Sequence, residues 1–513
     1  MVEKLNMIKS EIQIVWFKRD LRITDHAPIY QASLNKIPTL PIYIVEEEYW
    51  QKSFSNRRHW CFIYDSLVDL RKELKKFGQG LIVRVGDVLE IFKNLSRKYL
   101  IKSIFAHEET GNNWTFERDI AIQNWCFKNN IKLNEYPTNG VIRRLKNRSE
   151  WIKLKNFRMK ERQVPLPQTL IPINDLKEGL IPKKDNSIFK NNFEGKVQRG
   201  GRIEALKIME SFLDNRGKSY VLNISKPETS EKHCSRISPH LTWGTISSRE
   251  VLKSINKKKE KLSGVDKKYW NKNLAAMTAR LSWRCHFIQK LETQPSIEFK
   301  CIHPFYEGLR ENEFNNEFYH AWKSGQTGYP FIDACMRSLN FNGWITFRMR
   351  AMLVSFASYD LWLDWRKIGH HLAQNFTDYE PGIHYSQLQM QSGVTGVNSL
   401  RIYNPIKQSQ DHDTNGEFIK KWVPELKALS KTWIHEPWKM DLSTQKKIKC
   451  VIGKDYPAPI VDHIKSIKEA KSKIEVVFKK DNYKKNSKLV LKKLVNKKIK
   501  KKSKAPTKQL ELF

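Results

Sequence analysis

The spacing of apolar and polar positions changes rhythm twice along the chain. From Glu11 to about Gly140, short β-rich runs (Ile12–Phe17, Leu40–Val45, Leu81–Val85 and Ile101–Ala106) alternate with longer helix-compatible segments such as Arg57–Phe77 and Thr115–Phe127. That alternation predicts a parallel sheet with helices on both faces, an α/β domain over residues 11–140. Over 141–201 the periodicity fades, and Pro165, Pro167, Pro172, Pro182 and the Gly200-Gly201 pair punctuate what reads as a surface connector. Helical periods dominate 202–461, which predicts an all-α second domain. Residues 462–513 turn Lys-rich, with twelve Lys against one acid over Asp481–Lys508, and read as a basic disordered tail. No internal repeat of fixed period is visible.

Composition sharpens this picture. A content of 40% hydrophobic and 11% aromatic residues fits globular domains, and a formal charge of +38 points to a polyanionic partner such as nucleic acid. Seven scattered cysteines form no CxxC pair, which predicts reduced thiols and neither a zinc nor an iron-sulfur site. No apolar run reaches the length of a membrane span and the N-terminus does not read as a signal peptide, so the expected location is the cytoplasm.

Candidate chemistry concentrates between Trp322 and Leu426, where Trp, Arg, Asp, Gly and Pro are denser than a plain helical core needs. The stretch predicts a site for something large and polar. Upstream, Ser235-Arg236-Ile237-Ser238-Pro239 offers hydroxyls, a cation and backbone donors at a predicted helix start, a combination suited to a diphosphate and equally to an ordinary N-cap followed by Pro. No GxGxxG follows the first strand, which argues against a dinucleotide site of the usual Rossmann kind in the α/β domain.

Trp16-Phe17-Lys18-Arg19-Asp20-Leu21-Arg22, Ser238-Pro239-His240-Leu241, Trp283-Arg284 and the Trp322–Leu426 stretch, in this order and spacing, resemble the cryptochrome/photolyase family. The resemblance implies an N-terminal α/β domain, sometimes with an antenna pigment of folate, deazaflavin or flavin type, and a helical domain that buries FAD. Its photolyases bind UV-damaged DNA, flip the lesion and split it with an electron from light-excited reduced flavin. Residue by residue, it implies cofactor binding by Tyr220, Ser235, Arg236, Ile237, Ser238, Arg284, Arg350, Asp378 and Glu380, with Arg350 and Asp378 as an ion pair beside the flavin ring and Glu380 in place of a second Asp.

The same register exposes departures. The flavin-facing Asn of the family falls on His384, which either exchanges a proton near neutral pH or simply hydrogen-bonds a backbone carbonyl. The proximal Trp of the electron-transfer chain falls on Leu388; Trp365 is kept, with Trp362 and Tyr385 as candidate substitutes. In the lesion pocket, Arg280 replaces a Glu, Phe347 an Asn, Ala351 a Met and Met390 a Trp, while Trp283 still offers an aromatic face and Arg401 matches a phosphate-contacting Arg. Arg280, Trp283, Met390 and Arg401 are therefore expected to face DNA.

Two functions follow. One is a monomeric, FAD-dependent, blue-light-driven repair enzyme, a carbon-carbon lyase with an altered lesion pocket; the other is a blue-light photoreceptor without repair activity. The last residues, Gln509-Leu510-Glu511-Leu512-Phe513, resemble the motif by which bacterial repair and replication proteins attach to the sliding clamp.

Overall fold

The computed structural model describes residues 9–189 and 192–495. Five parallel strands, β1 (Glu11–Phe17), β2 (Thr39–Val45), β3 (Ile82–Val85), β4 (Leu100–His107) and β5 (Lys132–Tyr136), lie in the order β3-β2-β1-β4-β5. Apart from the exposed Glu11, β1 and β2 are buried along their length and mostly apolar because both faces of the sheet are covered, the pattern expected of a buried parallel sheet. The crossover helices are α1 (Ala27–Leu34), α2 (Arg57–Lys75), α3 (Val88–Lys98) and α4 (Asn113–Lys128). Each of α2, α3 and α4 starts at an Asn or Asp whose side chain accepts a backbone N–H of the first turn. Apolar runs predict four of the strands; β5, KLNEY, has no such run because it is a half-exposed edge.

The connector is less irregular than its sequence suggests, since it contains α5 (Trp151–Lys160). Beyond it the elements are helical. Those that build the site are α6 (Ser238–Thr242), the 30-residue α7 (Gly264–Thr293), α8 (Phe347–Ser355), α9 (Trp365–Asn375) and α10 (Pro381–Gln391).

The expectation of a disordered tail from residue 462 needs correction. α11 (His463–Phe478) and α12 (Tyr483–Leu494) are packed helices. Asp462 caps α11 by accepting the Lys465 N–H, and His463 Nδ1 meets Asp360 Oδ1 at 2.5 Å. Ala470, Ile474 and Val477 are buried in the main helical core, while Val490 and Leu494 pack with Leu291 and Ile297. An apolar stripe at helical spacing outweighs the Lys-rich composition that hides it. The Gln509–Phe513 motif lies outside the described residues. Among those described, no helix is long and apolar enough to cross a membrane, and all seven cysteines are free.

Candidate flavin cavity

α6, α7, α8 and the turn before α10 enclose a cavity of about 220 Å³ lined by Tyr220, Ser235, Arg236, Ile237, Ser238, Arg280, Arg284, Arg350 and Asp378. Two smaller cavities share walls with it, one through Arg350 and Asp378 and lined also by His384, the other through Arg284 and lined also by Glu380. On α7, Arg280 and Arg284 are one turn apart and so share a face toward the cavity. α8 starts at Thr346, whose hydroxyl accepts the Met349 N–H, and this cap sets the first turn that carries Arg350.

Arg350 Nη2 donates to Asp378 Oδ2 at 3.0 Å, and its Nε donates to the Ile345 carbonyl. Burial alone would raise the Asp378 carboxyl; the Arg350 charge and hydrogen bond, with the Ser238 hydroxyl and Arg236, hold it below the usual carboxylate range. Asp378 Oδ1 is buried without a partner. Arg284 Nη1 pairs with Glu380 Oε2 at 2.7 Å and Nη2 donates to the Leu241 carbonyl, while its buried Nε has no partner. Arg236 adopts φ +58°, stacks its guanidinium 4.0 Å from the Trp344 ring and leaves a buried Nη1 unpartnered. Burial pushes Arg236 down to about 10.

Folded cavities rarely leave this many polar atoms unsatisfied, so each calls for a ligand atom. Arg236, Ser235, Ser238 and Tyr220 supply a cation and hydroxyls suited to a diphosphate. Arg350, Asp378 Oδ1 and Arg284 suit a polar conjugated ring that gains negative charge. The set fits a flavin dinucleotide. α6 is only five residues long, so its side chains and backbone, rather than a long-helix dipole, carry the anion contacts.

Residues 13–166 match the family model of DNA photolyase, and residues 277–476 match that of the FAD binding domain of DNA photolyase. The chain belongs to the DNA photolyase/cryptochrome family. It is 26% identical over 485 residues to the deoxyribodipyrimidine photo-lyase of Alkalihalophilus pseudofirmus, covering 90% of this chain and 98% of that protein. Against the cryptochrome DASH of Synechocystis sp. it is 25% identical over 496 residues, covering 90% and 97%. An archaeal photolyase structure from Sulfolobus tokodaii, described with two FAD molecules, superimposes with a TM-score of 0.73 at 25% identity, over 91% of this chain and 100% of that one. The helical part of this photolyase-family chain is thus an FAD-binding domain.

A second chromophore is a different matter at the crevice between β1 and β4, where the strand order reverses and open α/β sheets take ligands. The cavity past Arg284 and Glu380 reaches this crevice at Lys18, His107 and Glu109, and buried ion pairs line its wall. Lys18 Nζ meets Asp119 Oδ2 at 2.7 Å, and Arg118 meets Glu46 Oε2 at 2.7 Å and Glu109 Oε2 at 2.8 Å, all largely buried. Burial holds Glu46 up to about 7 even beside Arg118. A pigment seated on these side chains has to displace their ion pairs.

His384 settles on one of its two readings. Its Nε2 lies 2.9 Å from the Gly369 carbonyl, which can only accept, so the proton sits on Nε2. Burial pushes the ring down to about 3, and it stays neutral in the physiological range. Gly369 was not legible as a site residue, although a Gly inside the helical run WRKIGHHLAQN is a signal of close approach. A Cβ there would come within 2.6 Å of Leu388 Cδ1, so α9 and α10 approach closely at this Gly and a larger residue would push the Leu388 side chain aside.

The expected DNA-facing set divides. Trp283 is 41% exposed and stacks on Phe287 at 5.6 Å. Arg280 instead lines the cavity with Tyr220, its guanidinium 5.7 Å from the Phe347 ring. Met390 is only 5% exposed, so its side chain is packed inside rather than presented to a partner. Arg401 is half-buried. Trp365, Tyr385 and Leu388 share the main buried core, and the Tyr379 hydroxyl donates to that of Tyr385 at 3.1 Å. Trp362, at φ +52°, lies between Arg310 at 4.4 Å and Lys473 at 4.8 Å from its ring.

Proposed function

We propose that this chain is a light-driven repair enzyme for UV-damaged DNA, a carbon-carbon lyase dependent on FAD. The observation that carries the reading is the pairing of the Arg350–Asp378 cavity with Trp283, a half-exposed aromatic on the same helix that lines the cavity through Arg280 and Arg284. When bound, FAD supplies light absorption and a transferable electron. The protein residues do the rest. Tyr220, Ser235, Arg236, Ile237 and Ser238 hold the diphosphate end. Arg350 and Arg284 lay fixed positive charge along the cavity, and Asp378, kept ionised, orients Arg350. Neutral His384 presents an unprotonated Nδ1 and braces α10 on α9. Trp283 receives an unstacked base, and Arg280 offers a donor where dimer photolyases are expected to have a Glu. Trp365, Tyr385 and Trp362 are the candidate electron relays.

Binding tests the reading before any photochemistry. Trp283→Ala should cut the preference for a lesion-bearing over an undamaged oligonucleotide about tenfold, since a base on an aromatic face is worth about 1–3 kcal/mol. Equal affinity of the wild type for both oligonucleotides counts against it.

A photoreceptor without repair is the second reading, favoured by Leu388, which cannot be oxidised, and by the packed Met390. Light-independent DNA binding would not separate the two; lesion loss under light does. The closing Gln509-Leu510-Glu511-Leu512-Phe513 is assigned to docking on a sliding clamp.

A further inference from the structure

Away from the cavity, the side of α7 next to Trp283 gathers buried cations and no acid. Arg148, in a one-turn helix (Arg148–Glu150) ahead of α5, is 6% exposed. Its Nη2 lies 3.0 Å from His286 Nδ1, while Nε and Nη1 are buried without partners. A guanidinium only donates, so His286 Nδ1 accepts and the imidazole proton sits on Nε2, making a further donor. Lys290, one turn along α7 from His286, is 7% exposed. Lys155 on α5 donates to Ser282 Oγ at 2.7 Å. Burial, then Lys290, Arg148 and Lys155, push His286 down to about 3.

No carboxylate is among the groups that shift Arg148, Lys155 or Lys290. Burial alone pushes Arg148 down to about 10; burial, Arg148 and Arg401 push Lys290 down to about 8; burial leads for Lys155 as well. Like charges buried together without a counterion are costly, and a fold keeps them where an outside anion balances them. Every polar group in the cluster is a donor or already accepts from one of the cations, which matches the acceptor-only surface of a phosphate. Its neighbours point to the source. Trp283 is exposed beside it, and α12 packs against both α7 and the Arg148–Glu150 turn. Lys484, Lys485, Lys488, Lys492 and Lys493 of α12 are exposed and extend the positive surface.

We propose that Arg148, His286 and Lys290, with Arg401, form a phosphate pocket that takes a backbone phosphodiester of the nucleic-acid strand whose base reaches Trp283. This rests on the DNA-repair reading but can fail separately. The experiment uses the full-length, flavin-loaded protein and measures binding to a lesion-bearing oligonucleotide by fluorescence anisotropy over a salt series. Lys290→Met should weaken binding about tenfold and lower the slope of log K against log salt by about 0.9 for one lost duplex phosphate contact, or about 0.7 for a single strand. Lys290→Arg should restore both. Flavin content should not change, and the melting temperature of Lys290→Met should hold or rise, because an unpartnered buried charge has been removed.

An unchanged affinity and salt slope in Lys290→Met, with the wild type binding well, overturns the pocket and leaves DNA binding intact. Should the wild type bind no oligonucleotide, the repair reading fails first, and a thermal-shift titration with inorganic phosphate decides the pocket. Stabilisation of the wild type that is lost in Lys290→Met then assigns it to free phosphate; no stabilisation rejects it.

Discussion

The Nε2 proton of His384 is committed to the Gly369 carbonyl at 2.9 Å, which removes the ring from proton exchange and makes it a strut between two helices. The folded ring titrates near 3, whereas in the unfolded chain it titrates near about 6.5. The unfolded state therefore takes up the proton first as pH falls, and His384 costs stability from about pH 6.5 downward and none above it. His384→Gln should soften acid destabilisation, by about 2 kcal/mol at pH 5, in denaturant titrations at each pH. An identical acid limb in wild type and variant would mean that the ring is not held neutral.

Asp378 has the opposite sign. Its carboxyl is held below the usual range by Arg350, so its contribution is present above the unfolded value and is lost as pH falls through the folded one. Asp378→Asn leaves the Arg350 guanidinium largely buried without its anion. The variant should lose about 3 kcal/mol of stability and most of its flavin, read as the ratio of flavin to protein absorbance after gel filtration. Full flavin occupancy in Asp378→Asn would remove the pair from the binding site.

Relay residues differ in how hard they are to oxidise. Trp362 carries a guanidinium and an ammonium on its ring, and fixed positive charge opposes formation of a cationic indole. Trp365, buried in the core shared with Leu388 and Tyr385, has the Arg366 guanidinium 4.6 Å from its ring, but that charge is balanced by ion pairs to Glu307, Glu311 and Asp364. In stopped illumination of the oxidised protein, Trp365→Phe should slow bleaching of the flavin band several-fold and Trp362→Phe should leave it near wild type. The reverse order would place the relay through Trp362.

Deleting Gln509 to Phe513 should abolish binding to a purified bacterial sliding clamp in surface plasmon resonance, with flavin content and melting temperature unchanged. Equal binding by the truncated protein, or none by the full chain, refutes clamp docking.

Much of the fold was legible because burial writes itself into apolar runs. Ile12–Phe17 and Leu40–Val45 are covered on both faces and could be read directly, whereas the edge strand Lys132–Tyr136 carries no such run. α11 escaped notice because Lys outnumbers the Ala470, Ile474 and Val477 stripe that seats it. The site divides in the same way. Arg350 and Asp378 stand 28 residues apart, and no local spacing joins them; only the resemblance did. What remained hidden is pairing itself. Glu380 proves to be the partner of Arg284, Met390 turns inward, and the buried Arg148 finds His286 rather than an acid, each a property of three dimensions rather than of sequence.

The central claim is light-driven repair. Chemically reduced, flavin-loaded protein is mixed with oligonucleotides carrying either a cyclobutane dimer or a six-four product, single- and double-stranded, and lesion content is followed by chromatography in blue light and in darkness. Loss of at least one lesion, only in light, is the predicted result. Retention of both lesions on both forms of DNA, under illumination that keeps the flavin reduced, would contradict it.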